Sequence, residues 1–530
     1  MSESIRITEI SWRRSYLCLE FEGPEGVWPV LAGKAGTFSF LPDEQAALYV
    51  TPREGCRYAF LSLVNVEQGS MLPEGSYELR ARREQSGEEL ALTFAPALLM
   101  RVNEISKVFR YYNRYSYLTW FSLEEEAGAA ETGRVLLHTE FAVRNENPGS
   151  RGRRRDFLSK GMQEIYDLAR RTAKGHEKRI LFFSETRDFM PGNFQAVYER
   201  MLARGMDKEY EIKVVLRNDV GKGASKMAKA KLLAMLARYD YIFVEDYVPL
   251  FTGIQPAPEV RLIQLWHAGF GYKAVGYTRF GIKGSPHPYH SCHRHYTDAV
   301  VGNEGLKEIY AEVYGIDRAH IHATGMPRLS DFLDAQRIAA ARERLATEYP
   351  QIKDRRVILF APTYRGSNQK AADYRITEDD QKLLYELCRD TDAVILFKAH
   401  HFIDRRLALT PGVEDRILDL SGEAIEDLMY VSDLLITDYS SCFYDYLLLR
   451  RPVLFYLPDE EAFTAFRGVC CPVGSTVPGP VARTVPELCA LLRQEELPLP
   501  KPQSFMLDNA LTNGRYIAAD RVLDAIFGEK

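Results

Sequence analysis

The sequence predicts an α/β protein in which two doubly wound parallel-sheet domains follow an antiparallel β domain. Three observations carry that prediction. From about residue 179, the apolar runs "RILFFSE", "EIKVVLR", "YDYIFVED", "VRLIQLWHA" and "YTDAVVGNE" alternate with helical segments. After the helical "AQRIAAARERLATEY" a second series begins: "RVILFAPTYRG", "DAVILFKAHH", "RILDLSG", "DLLITDYSS" and "PVLFYLPD". Strands that are apolar almost throughout, with helices between them, belong to parallel sheets covered on both faces. Earlier in the chain, short alternating runs such as "SYLCLEF", "YAFLSLVNV" and "SYELRARRE" are cut by Gly, Pro and acidic turns, the pattern of an antiparallel sandwich.

These breaks divide the 530 residues into a β-rich sandwich-like unit (1–143), a basic linker with an amphipathic helix (144–178), a first Rossmann-like unit (179–335) and a second (336–530) that closes with terminal helices. The β unit ends in "VFRYYNRYSYLTWFSL", whose aromatics at strand spacing form either a binding face or a buried strand. Residues 144–179 carry eleven Lys/Arg against five Asp/Glu, and Phe157, Leu158, Met162, Ile165, Tyr166 and Leu168 recur there at helical spacing. Such a helix either lies on an anionic membrane surface, through residues 151–172, or packs its apolar stripe on the next domain.

Composition excludes several classes. A hydrophobic fraction of 46% and a charged fraction of 27% are those of a soluble globular protein. The net charge of −5 argues against a general nucleic-acid binder. The start, "MSESIRITEI", lacks the apolar core of a signal peptide, and no window has the length of a membrane span. The eight cysteines form no C-x-x-C pair, which fits a reducing compartment, so the chain is expected in the cytoplasm.

Ligands of doubly wound domains bind beyond the carboxyl ends of the strands, and the unusual polar residues fall there. His267, Gly269 and Lys273 follow "LIQLW"; Thr363 and Arg365 follow "VILFAP"; His400 and His401 follow "AVILFKA"; Asp438, Ser440 and Ser441 follow "LLIT". The serine pair stands where a buried strand opens into a helix, a place with unpaired backbone N–H groups that suits a phosphate. Histidine there can accept a hydroxyl proton or stabilise phosphoryl oxygens. "GKGASK" lacks the spacing of a P-loop, and no dinucleotide fingerprint follows the first strand. "HPYHSCHRH" holds His287, His290, Cys292, His293 and His295, but no cysteine pair or H-E-x-x-H accompanies them. The segment is expected to be a polar cleft or surface loop rather than a metal site.

Seven segments, in order, resemble the CDP-glycerol glycerophosphotransferase family, which includes the teichoic acid primases and polymerases of Gram-positive bacteria. They are "ILFFSETRDFMPGNFQAVYERM", "LIQLWHAGFGYKAVGY", "TDAVVGNEG", "ATGMPRLSDF", "ILFAPTYRG", "FKAHHF" and "VSDLLITDYSSCFYDYLLLRRPVLFY", across roughly residues 178–500. The resemblance implies a GT-B arrangement, with the first Rossmann-like domain serving the acceptor and the second the nucleotide donor. It implies transfer of glycerol phosphate from CDP-glycerol to a hydroxyl of a polymer or lipid-linked acceptor, with release of CMP and no metal. By motif, His267 matches the family's general base and His400 the histidine beside the donor pyrophosphate. Thr437, Asp438, Ser440 and Ser441 match the segment that contacts the donor phosphates, Arg365 lies in the A-P-T-x-R-like motif, and Asp445 occupies a position near the ribose. Ala268 replaces the usual Gly after the active-site histidine, and "GFGYK" a shorter continuation, both on the acceptor side. A CDP-ribitol-dependent transferase shares these motifs, and an inactive polymer-binding scaffold is the non-enzymatic alternative. Such enzymes act on membrane-anchored acceptors, which would place the chain peripherally on the cytoplasmic face of the plasma membrane.

Overall fold

The computed structural model describes residues 4–528 apart from 67–68, 112–114, 126–132, 144–149, 174–177, 218–225, 283, 331, 367–372, 375, 401–402, 404–406, 502–510 and 513–514. His401 and nearly all of "GKGASK" lie outside the described residues.

The first Rossmann-like domain is a six-stranded parallel sheet. Its order is Glu211–Val215, Arg179–Phe183, Tyr241–Val244, Arg261–Gln264, Asp298–Val301, Ile321–Ala323. The second is also six-stranded and parallel, in the order Ile417–Asp419, Ala393–Phe397, Arg356–Phe360, Leu434–Thr437, Val453–Tyr456, Val481–Ala482. Both form because their strands are buried on both faces: Ile180 to Phe183 and Ala393 to Phe397 are each at most 2% exposed. In each sheet the chain reverses direction beside its first strand, which opens a crevice at the carboxyl ends. In the second sheet that crevice lies between Arg356–Phe360 and Leu434–Thr437.

The helix Ala335–Glu348 links the two domains and starts where Asp334 accepts the N–H of Arg337 at 2.8 Å, an N-cap. The last helix, Ala518–Phe527, does not stay with the second domain as the division at 336–530 had it. It returns to the first, burying Val522, Leu523 and Ile526 against Ile180, Phe182, Phe194 and Ile263. Burying three such side chains is worth roughly 5 kcal/mol or more. Arg204 fixes the helix further through Asp524 at 2.6 Å.

The N-terminal unit is a continuous ten-stranded sheet that encloses its main core. Its pairs are antiparallel except Ser4–Arg13 against Glu89–Phe94. The aromatic tail spans two antiparallel strands, Ser106–Tyr111 and Tyr115–Glu125, with one face buried: Phe109, Tyr117 and Phe121 are at most 2% exposed, whereas Trp120 is 37% exposed. Phe109 stacks on Phe280 of the first α/β domain at 4.9 Å. Arg14 pairs with Glu312 of that domain at 2.8 Å and also donates to the carbonyl of Cys470 in the second.

The segment around Cys292 departs from the expectation of a polar loop, since Cys292 and His293 are buried. Burial pushes the His293 imidazole down to about 3 and that of His295 to about 4. Arg294 bolts the β unit to this domain, donating to the carbonyls of Gly69 at 2.6 Å and Val64 at 2.9 Å. In the basic helix Ser150–Thr172, Tyr166 is buried in the first domain's core and Arg170 pairs with Asp240 and Glu259. Its C-terminal half therefore packs on that domain, while Leu168 stays 66% exposed.

Candidate active site

A cavity of about 480 Å³ lies between the two Rossmann-like domains, at the carboxyl ends of their central strands. One wall is built by the first domain. The strand Tyr241–Val244 runs into Glu245 and Asp246, and its neighbour Arg261–Gln264 runs through Trp266 into His267. Asp246 Oδ1 stands 3.2 Å from His267 Nδ1. The other carboxylate oxygen accepts from Thr186 Oγ1 at 2.6 Å and Arg187 Nε at 3.1 Å. That turn is itself set by Ser184 Oγ, which accepts the N–H of Arg187 at 3.0 Å.

Burial alone would raise the Asp246 carboxyl, but hydrogen bonds from His267 and Thr186 and the nearby charges of His267 and Arg187 hold it well below the usual range. Its neighbour Glu245 goes the other way: burial and the Asp246 charge push it up to about 8. The pair is a strongly ionised carboxylate beside a carboxyl that stays largely neutral at pH 7. Trp266 takes a left-handed backbone (φ 52°), a conformation costly for a bulky residue. It is held by its N–H to Gln264 Oε1 at 2.8 Å and by Asn193 Nδ2 donating to its carbonyl. The strained turn delivers His267 to the cavity with its side chain 43% exposed.

The second domain supplies the opposite wall, where Thr363, Tyr364, His400, Ser440 and Ser441 line the cavity. The His400 ring lies 4.7 Å from that of Tyr364. Ser440 Oγ accepts the N–H of Cys442 at 3.4 Å, at the start of the helix Cys442–Tyr446. That helix has only five residues, so its dipole is small and a phosphate here would rely on local N–H and hydroxyl groups.

Several residues expected at the substrate also brace the loops around the cavity. Asp438 is 1% exposed; Oδ1 accepts the N–H of Thr363 at 2.7 Å, and Oδ2 accepts from Arg365 at 2.8 Å. Arg365 also grips Asp459 with Nε at 2.6 Å and Nη2 at 2.9 Å, so its donors face carboxylates rather than the cavity. Thr437 is fully buried and donates to the carbonyl of Ala361 at 2.7 Å. Asp445 lines the cavity and pairs across the domains with Arg328, at 2.6 and 2.7 Å. Gly269 serves the seam between domains: a Cβ there would lie 2.3 Å from the Tyr444 ring, and one at Gly302 would lie 2.1 Å from the Tyr444 hydroxyl. Lys273 lines the cavity, its Nζ 3.4 Å from the Tyr364 hydroxyl.

Sequence reasoning missed Asp246, Arg328 and Arg467, whereas Tyr364 follows "VILFAP" at the same strand end as Thr363 and Arg365. Asp246 could have been found, because it ends "YDYIFVED" at the same sheet edge that drew attention to His267. Arg328 stands in "ATGMPRLSDF", where nothing in the local sequence marks its distant partner Asp445.

Two facing Rossmann-like domains, with a histidine–carboxylate pair on one wall of the cleft and a histidine and serine turn on the other, define the GT-B architecture. The chain belongs to the CDP-glycerol:poly(glycerophosphate) glycerophosphotransferase family, whose model matches residues 165–527. It is 32% identical over 386 residues to the teichoic acid ribitol-phosphate polymerase TarK of Staphylococcus aureus, covering 72% of this chain and 73% of that protein. A teichoic acid poly(ribitol-phosphate) polymerase of Bacillus spizizenii is 34% identical, over 66% of this chain but only 56% of its own length. A teichoic acid glycerol-phosphate primase of the same species is 25% identical, over 55% of this chain and 76% of the primase.

Proposed function

We propose that this chain transfers an alditol phosphate from a CDP-alditol to a terminal hydroxyl of a teichoic-acid-type acceptor, releasing CMP. The observation that carries the reading is the cleft itself, with His267 backed by Asp246 on one wall and His400, Ser440 and Ser441 on the other. With Nδ1 turned to Asp246, His267 offers Nε2 to the acceptor hydroxyl. The hydroxyl oxygen attacks the phosphorus that carries the alditol, and its proton passes to His267. The bond from that phosphorus to the bridging oxygen breaks, and CMP leaves with the oxygen. His400 and the serine turn would balance the charge on the departing phosphate.

The resemblance put glycerol first as the alditol. The relatives favour ribitol, since the two ribitol-phosphate polymerases match at 32% and 34% identity and the glycerol-phosphate primase at 25%. Glycerol is the second reading, favoured by the description of the matching family. The test is CMP release from CDP-ribitol and CDP-glycerol in parallel, with a membrane fraction supplying acceptor. Acceptor-dependent CMP from one donor, lost in His267→Ala, supports the transferase and names its alditol. No CMP from either donor by a folded protein would return weight to a polymer-binding scaffold. We place the chain at the cytoplasmic face of the membrane, where a lipid-linked acceptor would be reached. Sedimentation with anionic vesicles, weakened when Arg153, Arg154 and Arg155 become Glu, tests that placement.

A further inference from the structure

The half-buried guanidinium groups that brace the site are matched by carboxylates: Arg365 has Asp438 and Asp459, and Arg328 has Asp445. Arg467 differs. It ends the helix Glu460–Arg467 and is 8% exposed. Among the described residues its guanidinium donates one hydrogen bond, from Nη2 to the hydroxyl of Tyr364, and its buried Nε has no partner. Lys273 approaches the same phenol from the first domain, with Nζ 3.4 Å from the hydroxyl and 5.3 Å from the ring centre. The Arg467 guanidinium lies 4.7 Å from that centre. Among the described residues neither cation forms an ion pair with a carboxylate.

Two positive charges sharing one phenol oxygen, one of them buried, form an arrangement that an anion would stabilise. The local field shows the imbalance. Burial and the Arg467 charge lower the Lys273 ammonium, and the two cations bring the Tyr364 phenol below its usual value against the effect of burial. Lys273 and Tyr364 face the cavity, beside His400. Guanidinium and ammonium groups are the usual protein partners of phosphoryl oxygens.

We propose that Lys273, with Arg467 behind it and joined to it through Tyr364, forms a phosphate subsite on the cavity wall that binds a phosphoryl anion of the substrate. The subsite spans both Rossmann-like domains, so its anion would also hold the cleft together. The inference rests on the transferase reading for its biological ligand, and two sources fit the chemistry: the diphosphate of the donor, or the phosphodiester next to the acceptor's terminal hydroxyl.

Calorimetric titration of the full chain with inorganic pyrophosphate and with the phosphodiester of two glycerols separates the two sources. Wild type is expected to bind at least one probe, and Arg467→Met and Lys273→Met to bind it at least tenfold more weakly, with Arg467→Lys recovering part of the loss. Loss confined to pyrophosphate assigns the subsite to the donor; loss confined to the diester assigns it to the acceptor. If Arg467→Met does not fold, Lys273→Met and Tyr364→Phe carry the test. Binding of both probes within twofold of wild type in folded variants overturns the proposal, as does failure of wild type to bind either probe. Failure of the transferase reading looks different: wild type would bind the probe yet release no CMP from either CDP-alditol.

Discussion

His267 and Asp438 occupy equivalent places, each just past the carboxyl end of a central parallel strand in its own Rossmann-like domain. Their side chains are treated in opposite ways, His267 being 43% exposed in the cavity and Asp438 1% exposed beneath it. The His267 wall presents one side chain on a strained turn, supported from behind by Asp246, Thr186 and Arg187. In the other wall Asp438 and Arg365 are consumed in tying two loops together, and the side chains lining the cavity include Thr363, Tyr364, His400 and the serine pair. A strand-end position therefore marks a residue as near the site, but what lies behind it decides between chemistry and scaffolding.

That contrast predicts variants that fail in different ways. The largest effect on rate belongs to His267→Ala, which should lower acceptor-dependent CMP release by about 10³-fold with melting temperature nearly unchanged, since general acid–base groups contribute about 10²–10⁴-fold. Asp246→Asn should cost about one order of magnitude less, acting through the orientation of His267, and should shift the pH–rate profile. A melting temperature that falls along with the rate in His267→Ala would show that this wall is scaffold too. On the opposite wall, Asp438→Ala should act first on stability, by about 1–3 kcal/mol in chemical denaturation, because it leaves the buried N–H of Thr363 unpaired while Arg365 keeps only Asp459. A stable Asp438→Ala protein with weakened donor binding would erase the distinction.

Glu245 gives a pH-dependent test. Its folded value of about 8 exceeds the ordinary glutamate value, so between about pH 4.5 and 8 the folded state holds a proton that the unfolded state has lost. Stability from this group is thus present at low pH and lost as pH rises through that window. Glu245→Gln should remove about 2–3 kcal/mol of the decline between pH 5 and 8, measured as denaturation midpoints. The smallest effect is expected for Ser440→Ala, a few-fold rise in donor KM with little change in stability, about 1 kcal/mol for one lost hydrogen bond.

Much of this was legible in the residues. Continuous apolar strands alternating with helices indicated two parallel sheets, because a strand buried on both faces has no polar side to show. His267, Lys273, His400, Ser440 and Ser441 could be named from their place after such strands, and all of them line the cavity. The roles of Arg365, Asp438 and Asp445 could not, because each is fixed by a partner distant in sequence: Asp459, Arg365 and Arg328. The final helix shows the same limit, since an apolar stripe at helical spacing states that it must be buried and not against which sheet.

By itself the sequence determined the two α/β units, the edge of each sheet where ligands belong, and the polar residues available there. Only the tertiary structure decided which of those residues face the cleft and which are spent on one another. Apolar patterning is a property of neighbouring residues along the chain, so it survives in one dimension. Pairing of charges such as Arg328 with Asp445, or the meeting of Lys273 and Arg467 on one phenol, depends on chain segments 91 to 117 residues apart being brought within a few ångströms.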